Sequence, residues 1–393
     1  MTTNAVLTGV GQSEVGRRLG RSGMSLTSEA VLAALADAGL DRADIDGVST
    51  WPGAHSPAPG FSGAGVFDVV DAFGLNVRWF SGGSETAGQL GAVMNAVAAV
   101  EAGLARHVLV FRTVWESTAT TLAQGRRASV VGSGSARVSG WTSYLVPFGA
   151  MSAATWAALY ATRHMHDFGT TREQLGWLAV IQRQYAGLNP KAVYTDPLTL
   201  EDYLAARPIA EPLGLYDCDV PVDGSTAFIV SRADATSGLN APGVRIEALS
   251  SALGGRPDWF SYGDGAEMMA TEVGRDLWTR TDLQPSDVDC AQLYDGFTIF
   301  TLMWLEALGL VPRGEAGPFV EGGTRIDVGG DLPVNTSGGQ LSAGRLHGFG
   351  HLHEACLQLR GEAGHRQVFA AEVAVVAAGG GPLAGALLLT RER

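Results

Sequence analysis

One pattern occurs twice in this chain of 393 residues, and it narrows the possible folds more than any other feature. In the first half, residues 5–11 read as a strand. A helix follows at about residues 27–38, with Leu26, Ala30, Leu32, Ala33 and Leu35 on an apolar face and Gly39 as its stop. Leu40, a short polar turn and Asp44-Ile45-Asp46-Gly47-Val48 then lead into a second strand. The second half repeats this grammar. Thr271-Glu272-Val273 answers Ser28-Glu29-Ala30, Leu283 answers Leu40, and Asp287-Val288-Asp289 answers Asp44-Ile45-Asp46, each 243 residues later. Another echo has Glu101-Ala102-Gly103 closing a helix that starts near Thr86, and Glu362-Ala363-Gly364 closing one that starts near Gly350. Both precede apolar, strand-like segments, at residues 108–111 and 368–376. Repeats this far apart exclude a solenoid, whose period is about 20–50 residues. They predict a duplicated α/β architecture, with one half at residues 1–240 and the other at 241–393.

The middle, at about residues 112–222, breaks the pattern. It holds a Gly/Ser-rich stretch at 131–137 and two helical segments near 153–168 and 171–187, the second closed by Asn189-Pro190. A strand at 227–231 resumes the first half. The middle therefore reads as an inserted loop domain running over the core, a common way to cover a ligand site. With 46% hydrophobic residues the chain can bury a large core, and its 53 glycines lie within patterned sequence, as tight turns of a packed α/β fold require.

A net charge of −13 and the lack of any run of five basic residues argue against a nucleic-acid surface. An anionic ligand needs only a few local cations and helix N-termini. The longest uncharged apolar run, residues 373–389, is split by Gly379-Gly380-Gly381-Pro382, so it reads as two buried strands around a turn rather than a membrane span. Cys218, Cys290 and Cys356 are odd in number and form no CxxC pair. They read as small buried hydrophobes in a reducing compartment, and with no basic segment at the N-terminus the expected location is the cytoplasm.

Six segments occur in order along nearly the whole chain: Ala38-Gly39-Leu40 with Asp44-Ile45-Asp46-Gly47; Asn189-Pro190-Lys191-Ala192; Asp223-Gly224-Ser225; Leu293-Tyr294-Asp295-Gly296-Phe297; Gly314-Glu315; and Asn335-Thr336-Ser337-Gly338-Gly339-Gln340-Leu341-Ser342. Together they resemble the thiolase superfamily, in its sterol-carrier-protein-x and bacterial lipid-transfer-protein branch. The Tyr-Asp-Gly-Phe and Asn-Thr-x-Gly-Gly segments are the specific ones. The resemblance implies a thiolase fold, five-layered αβαβα and built of two similar halves. It also implies a homodimer, an acyl-CoA substrate, and a small OB-fold, zinc-ribbon partner that would complete a heterotetramer. Some members of this branch are retro-aldolases that shorten steroid side chains.

Thiolases attack with a cysteine at the start of the first half's central helix, where helix-end N–H groups lower a thiolate's pKa. Here the neighbourhood reads Ser81-Gly82-Gly83-Ser84-Glu85-Thr86-Ala87-Gly88, and the family position falls near Thr86. Ser84 and Thr86 read as helix caps. The second family cysteine is replaced by Ala377-Ala378-Gly379-Gly380-Gly381. Covalent acyl transfer is therefore not expected.

In the branch's aldolases the Tyr of the Tyr-Asp-Gly-Phe motif is regarded as an acid/base residue, which marks Tyr294 and, beside it, Asp295. The thiolase His aligns with Arg345, where the aldolases carry Tyr with a His two residues on. This chain keeps that His, as His347, which is expected to carry the proton transfers together with Tyr294. An arginine does not deprotonate, so Arg345 cannot replace a general base, though it can hold an oxyanion or a carboxylate; either the second acid/base role moves to His347, or the substrate differs, or activity is lost. His347, His351 and His353 lie close in sequence, but Gly348 and Gly350 argue against the regular helix a metal pair needs, and no metal site is expected. Glycines Gly338, Gly339 and Gly380 are expected to offer backbone N–H groups to the thioester, and Arg126 and Arg127, with Arg137, to meet CoA phosphates. CoA enters only as part of the substrate, and no separate cofactor is expected. The expected activity is retro-aldol cleavage of a β-hydroxyacyl-CoA. The alternatives are a non-catalytic acyl-CoA-binding subunit and a cysteine-free acyltransferase or condensing enzyme.

Overall fold

The computed structural model describes residues 3–54, 59–122, 143–150, 152–240, 242–254 and 267–392. Arg126, Arg127, Arg137 and the Gly/Ser-rich stretch lie outside the described residues. In chain order the first half contributes β1 (Ala5–Gln12), α1 (Gly23–Ala38), β2 (Gly47–Thr50), α2 (Val66–Phe73), β3 (Trp79–Gly82), α3 (Gly91–Glu101), β4 (His107–Trp115) and α4 (Glu116–Leu122). The excursion supplies α5 (Ala153–Phe168), α6 (Arg172–Leu188), α7 (Leu200–Ala205) and the short strands β5 (Pro208–Ala210) and β6 (Leu213–Gly214) before β7 (Asp223–Arg232). Then come β8 (Val244–Leu253), α8 (Ala270–Leu277), β9 (Cys290–Leu293), α9 (Thr298–Ala307), α10 (Ala316–Val320), α11 (Phe349–Arg360), β10 (Val373–Gly380) and β11 (Leu383–Arg391).

The long strands form one sheet in the order β3-β2-β4-β7-β1-β8-β11-β10-β9. The order contains the duplication. Read outward from the centre, β1-β7-β4-β2 has the same pairing as β8-β11-β10-β9: two antiparallel contacts and then a parallel one. The halves meet where β1 pairs with β8 through only two residue pairs, Val6 with Arg245 and Leu7 with Val244. Helix α1 packs on one face of the first-half strands and α3 on the other, while α11 and α8 pack against the second-half strands. Strand β4 shows why such strands read as unbroken apolar runs. Its Leu109 and Phe111 join the core under α1, and its Val108 and Val110 join the main core on the side of α3. Among the described residues no helix is long and apolar enough to cross a membrane.

Three local expectations are corrected by packing and caps. Helix α1 begins four residues early, because Ser22 accepts the Ser25 N–H as its cap. Its buried face runs through Leu26, Ala30, Val31, Ala34, Leu35 and Ala38, while Leu32 is exposed. Helix α11 stops at Arg360, with Gly361 in the left-handed conformation, ahead of Glu362-Ala363-Gly364. Helix α3 begins at Gly91 after a tight turn over 88–90, and neither Ser84 nor Thr86 caps it.

Candidate active site

Tyr294 follows directly after β9, and its surroundings come from distant parts of the chain. The Asn335 side chain acts as a strand partner for Leu293: its Oδ1 accepts the Leu293 N–H at 2.7 Å and its Nδ2 donates to the Leu293 carbonyl at 2.9 Å. Thr336 ties the same loop to α11 by donating to Glu354, and Asn189 of the Asn-Pro-Lys segment donates to the Ser337 carbonyl. Gly338 and Gly339 both have positive φ, and their missing side chains matter. A Cβ on Gly338 would meet the backbone of Ala186 at 3.0 Å, and one on Gly339 would lie 2.0 Å from Asp295 Oδ2. That close approach lets Asp295 Oδ2 accept the N–H of Gln340 at 2.8 Å, while its Oδ1 meets His351 Nε2 at 2.9 Å. Asp295 thus holds the loop against α11.

These bonds bear on the expected oxyanion role. The amides of Gly338, Gly339, Gln340 and Leu341 all have acceptors within the protein. Gly380 lies in the β10–β11 hairpin, opposite Leu383.

The loop returns through Arg345, which is held by two carboxylates far away in sequence. Its Nε and Nη2 donate to Glu116 Oε2 at 3.2 and 3.0 Å, and its Nη1 donates to Asp219 Oδ1 at 3.0 Å. Glu116 opens α4, whose position is set by Asp223 of the Asp-Gly-Ser segment, since Asp223 accepts the Thr118 N–H and hydroxyl. Asp219 sits just before β7. Both carboxylates that Arg345 holds belong to this chain.

Burial opposes the charge on Glu116, yet Arg345, His347 and Arg112 hold its carboxyl down at about 2. Asp219 goes the other way. Burial, with the charges of Glu116 and Asp295, outweighs Arg345 and pushes it up to about 7. Tyr294 is buried, and burial together with Asp219 pushes its phenol well above the ordinary range.

His347 has a left-handed backbone, and its N–H donates to Gln340 Oε1 at 2.9 Å. Its ring packs edge-on against Phe61 and Trp51, with Nε2 3.6 Å from Glu116, and burial pulls its pKa down to about 4. Arg112, in the middle of apolar β4, lies over the same two aromatic rings. Its Nε and Nη2 have no acceptor among the described residues. His351 and His353 lie in the first turns of α11, a helix that runs from Phe349 and includes Gly350. A separate cavity of about 360 Å³ lies beside this cluster, bordered by Asn189, Lys191, Gln340, His351, His353 and Arg366.

The position near Thr86 adjoins this site from the first half. Thr86 folds over Gly91 at the start of α3, and Gly348, next to His347, packs against Gln89. No cysteine is there. Cys290 and Cys356 are buried and Cys218 half-buried, with burial pushing the Cys218 and Cys356 thiols up to about 12.

Sequence reasoning missed Glu116, Asp219 and Arg112. Arg112 carried a signal, as a charge inside an apolar strand. Glu116 and Asp219 carried none beyond their charge.

A family model described as Thiolase C-terminal domain-like matches residues 260–390. A Mycobacterium tuberculosis protein named 17-hydroxy-3-oxo-4-pregnene-20-carboxyl-CoA lyase is 37% identical, over 99% of this chain and 100% of that protein. A steroid side-chain-cleaving aldolase of Thermomonospora curvata is 35% identical, over 98% of this chain and 97% of that one. The solved Ltp2-ChsH2(DUF35) aldolase superposes with a TM-score of 0.86 at 34% identity, covering 99% of this chain and 98% of that chain. With a duplicated sheet, no cysteine at the nucleophile position and full-length likeness to these proteins, the chain belongs to the thiolase superfamily, in its lipid-transfer-protein-type, thiolase-like aldolase branch.

Proposed function

We propose that this protein cleaves the Cα–Cβ bond of a β-hydroxyacyl-CoA by a retro-aldol step, with the β-carbon a ring atom of a steroid nucleus. The observation that carries this reading is the largely buried cluster of Tyr294, Arg345, Glu116 and Asp219, in which a phenol and two carboxylates can move protons, with no cysteine at the nucleophile position. The M. tuberculosis relative's name fits that chemistry, because a hydroxyl on C17 and a carboxyl-CoA on C20 make a β-hydroxyacyl thioester. Tyr294 serves as the acid, since a buried phenol with a raised pKa keeps its proton until an enolate forms beside it. Arg345 and Asp295 act as positioning residues, Arg345 by holding two carboxylates and Asp295 by pinning the 338–341 loop. Arg112, with two donor nitrogens that find no acceptor among the described residues, is suited to steady the thioester oxygen as charge develops on it. CoA enters as part of the substrate, with no separate cofactor.

In this reading the protein is cytoplasmic and forms a homodimer. It works with a small OB-fold, zinc-ribbon protein in a heterotetramer, a role that the DUF35 protein named with the solved Ltp2 aldolase supports. The test is to purify it with such a partner and supply a 17-hydroxysteroid 20-carboxyl-CoA. Mass spectrometry should find a 17-ketosteroid and a shortened acyl-CoA, with no acyl adduct on the protein. Tight acyl-CoA binding with no turnover in that complex would favour a non-catalytic binding subunit.

A further inference from the structure

We propose that Asp219 is the general base that takes the β-hydroxyl proton in this reaction, an assignment that rests on the retro-aldol reading. The segment that carries it is fixed from both sides. The Asp219 N–H donates to the Gly296 carbonyl at 3.2 Å, next to the Tyr294 loop, while Val220 donates to Gln340 and accepts the Arg345 N–H at 2.8 Å. Asp219 is thereby wedged between the loop bearing Tyr294 and the loop bearing Arg345. Its side chain is 9% exposed, and Oδ1 is the oxygen engaged by Arg345.

The other two candidates are less suited. Glu116 receives two of Arg345's three bonds on a single oxygen, and its carboxyl, near 2, is a very weak base. His347, near 4, is also a weak base at neutral pH. The groups facing Asp219 are Arg345, Glu116, Asp295 and Tyr294, with Cys218 beside it in the chain. Burial, with the balance of these groups, leaves Asp219 near 7, where a base works best at neutral pH.

The step balances without any co-reactant. Asp219 removes the hydroxyl proton, and the O–H pair becomes the new C=O bond. The Cα–Cβ pair passes to Cα and onto the thioester oxygen as an enolate. Tyr294 gives its proton to Cα, and the proton held by Asp219 then returns to the phenolate.

The test measures the pH dependence of turnover by the complex, using the same 17-hydroxysteroid 20-carboxyl-CoA. Wild type should lose activity as pH falls through about 7, because the base must be ionised. Asp219→Asn should lower kcat at least ~10²-fold with little change in KM, and should abolish that acidic limb. His347→Asn should keep the limb. An Asp219→Asn variant that keeps it, or a His347→Asn variant that loses it, overturns the assignment while the retro-aldol reading stands. A wild-type profile with no limb between about pH 6 and 8 overturns it however well Asp219→Asn folds. No wild-type turnover at all overturns the reading and the assignment together.

Discussion

Tyr294 and Arg345 divide the chemistry at the level of single residues. Tyr294→Phe removes the phenol oxygen and keeps the ring that packs over Gly296. Its turnover should fall at least ~10²-fold, with the melting temperature almost unchanged. Arg345 has a double role, because it neutralises two carboxylates that burial would otherwise make unfavourable. Arg345→Ala strands both and should cost about 3 kcal/mol by denaturant titration, along with most of the activity. Arg345→Lys keeps one charge but loses the planar fork that reaches Glu116 with two nitrogens and Asp219 with a third. It should retain part of the activity and most of the stability. Equal activity in the Ala and Lys variants would show that the charge on Arg345 has no part in catalysis.

At the scale of elements, the loop between α10 and α11 makes the site precise. Asn335 locks it to the end of β9, Thr336 to α11, and Asp295 to its own turn. The two glycines are there because neighbouring atoms fill the space a side chain would need. Gly339→Ala should lose about 2–4 kcal/mol, since its Cβ would strike the Asp295 carboxylate and its φ is positive. Gly20→Ala is the matching control. Its φ is also positive, but nothing lies within 4 Å, so only about 1 kcal/mol of backbone strain is expected. Equal losses in the two variants would mean that conformation alone, and not the close approach to Asp295, selects glycine at position 339.

For the whole molecule, the site exists only because the halves are assembled. Glu116 and Arg345 are 229 positions apart, and Asp219 and Arg345 are 126 apart. Strand β3 is an edge of the sheet, and Phe80 on it and Phe67 on α2 are both exposed, with ring centroids 6.1 Å apart. An exposed edge with an apolar patch is a ready surface for a second copy. Light scattering should give about twice the 40.9 kDa of one chain, and Phe80→Glu should shift the mass toward a single chain. A wild-type mass near one chain at micromolar concentration would count against the dimer.

Much of this was legible in the sequence because it is local or periodic. The duplication at 243 residues marked two equivalent halves, and the two halves of the sheet repeat the same pairing. The apolar segment at 288–293 put Tyr294 at its end, and the residues around Thr86 ruled out a thiol. Periodicity and caps record which face of an element is buried, and that is a property of neighbours three or four positions away. They do not record which distant side chain will be opposite. Only the tertiary structure decided that Arg345 faces Glu116 and Asp219, that the 338–341 amides are already bonded, and that Asp219 is near neutrality. Each of these follows from burial and from charges brought close by the packing of segments far apart in the chain, and burial is what makes those charges interact strongly.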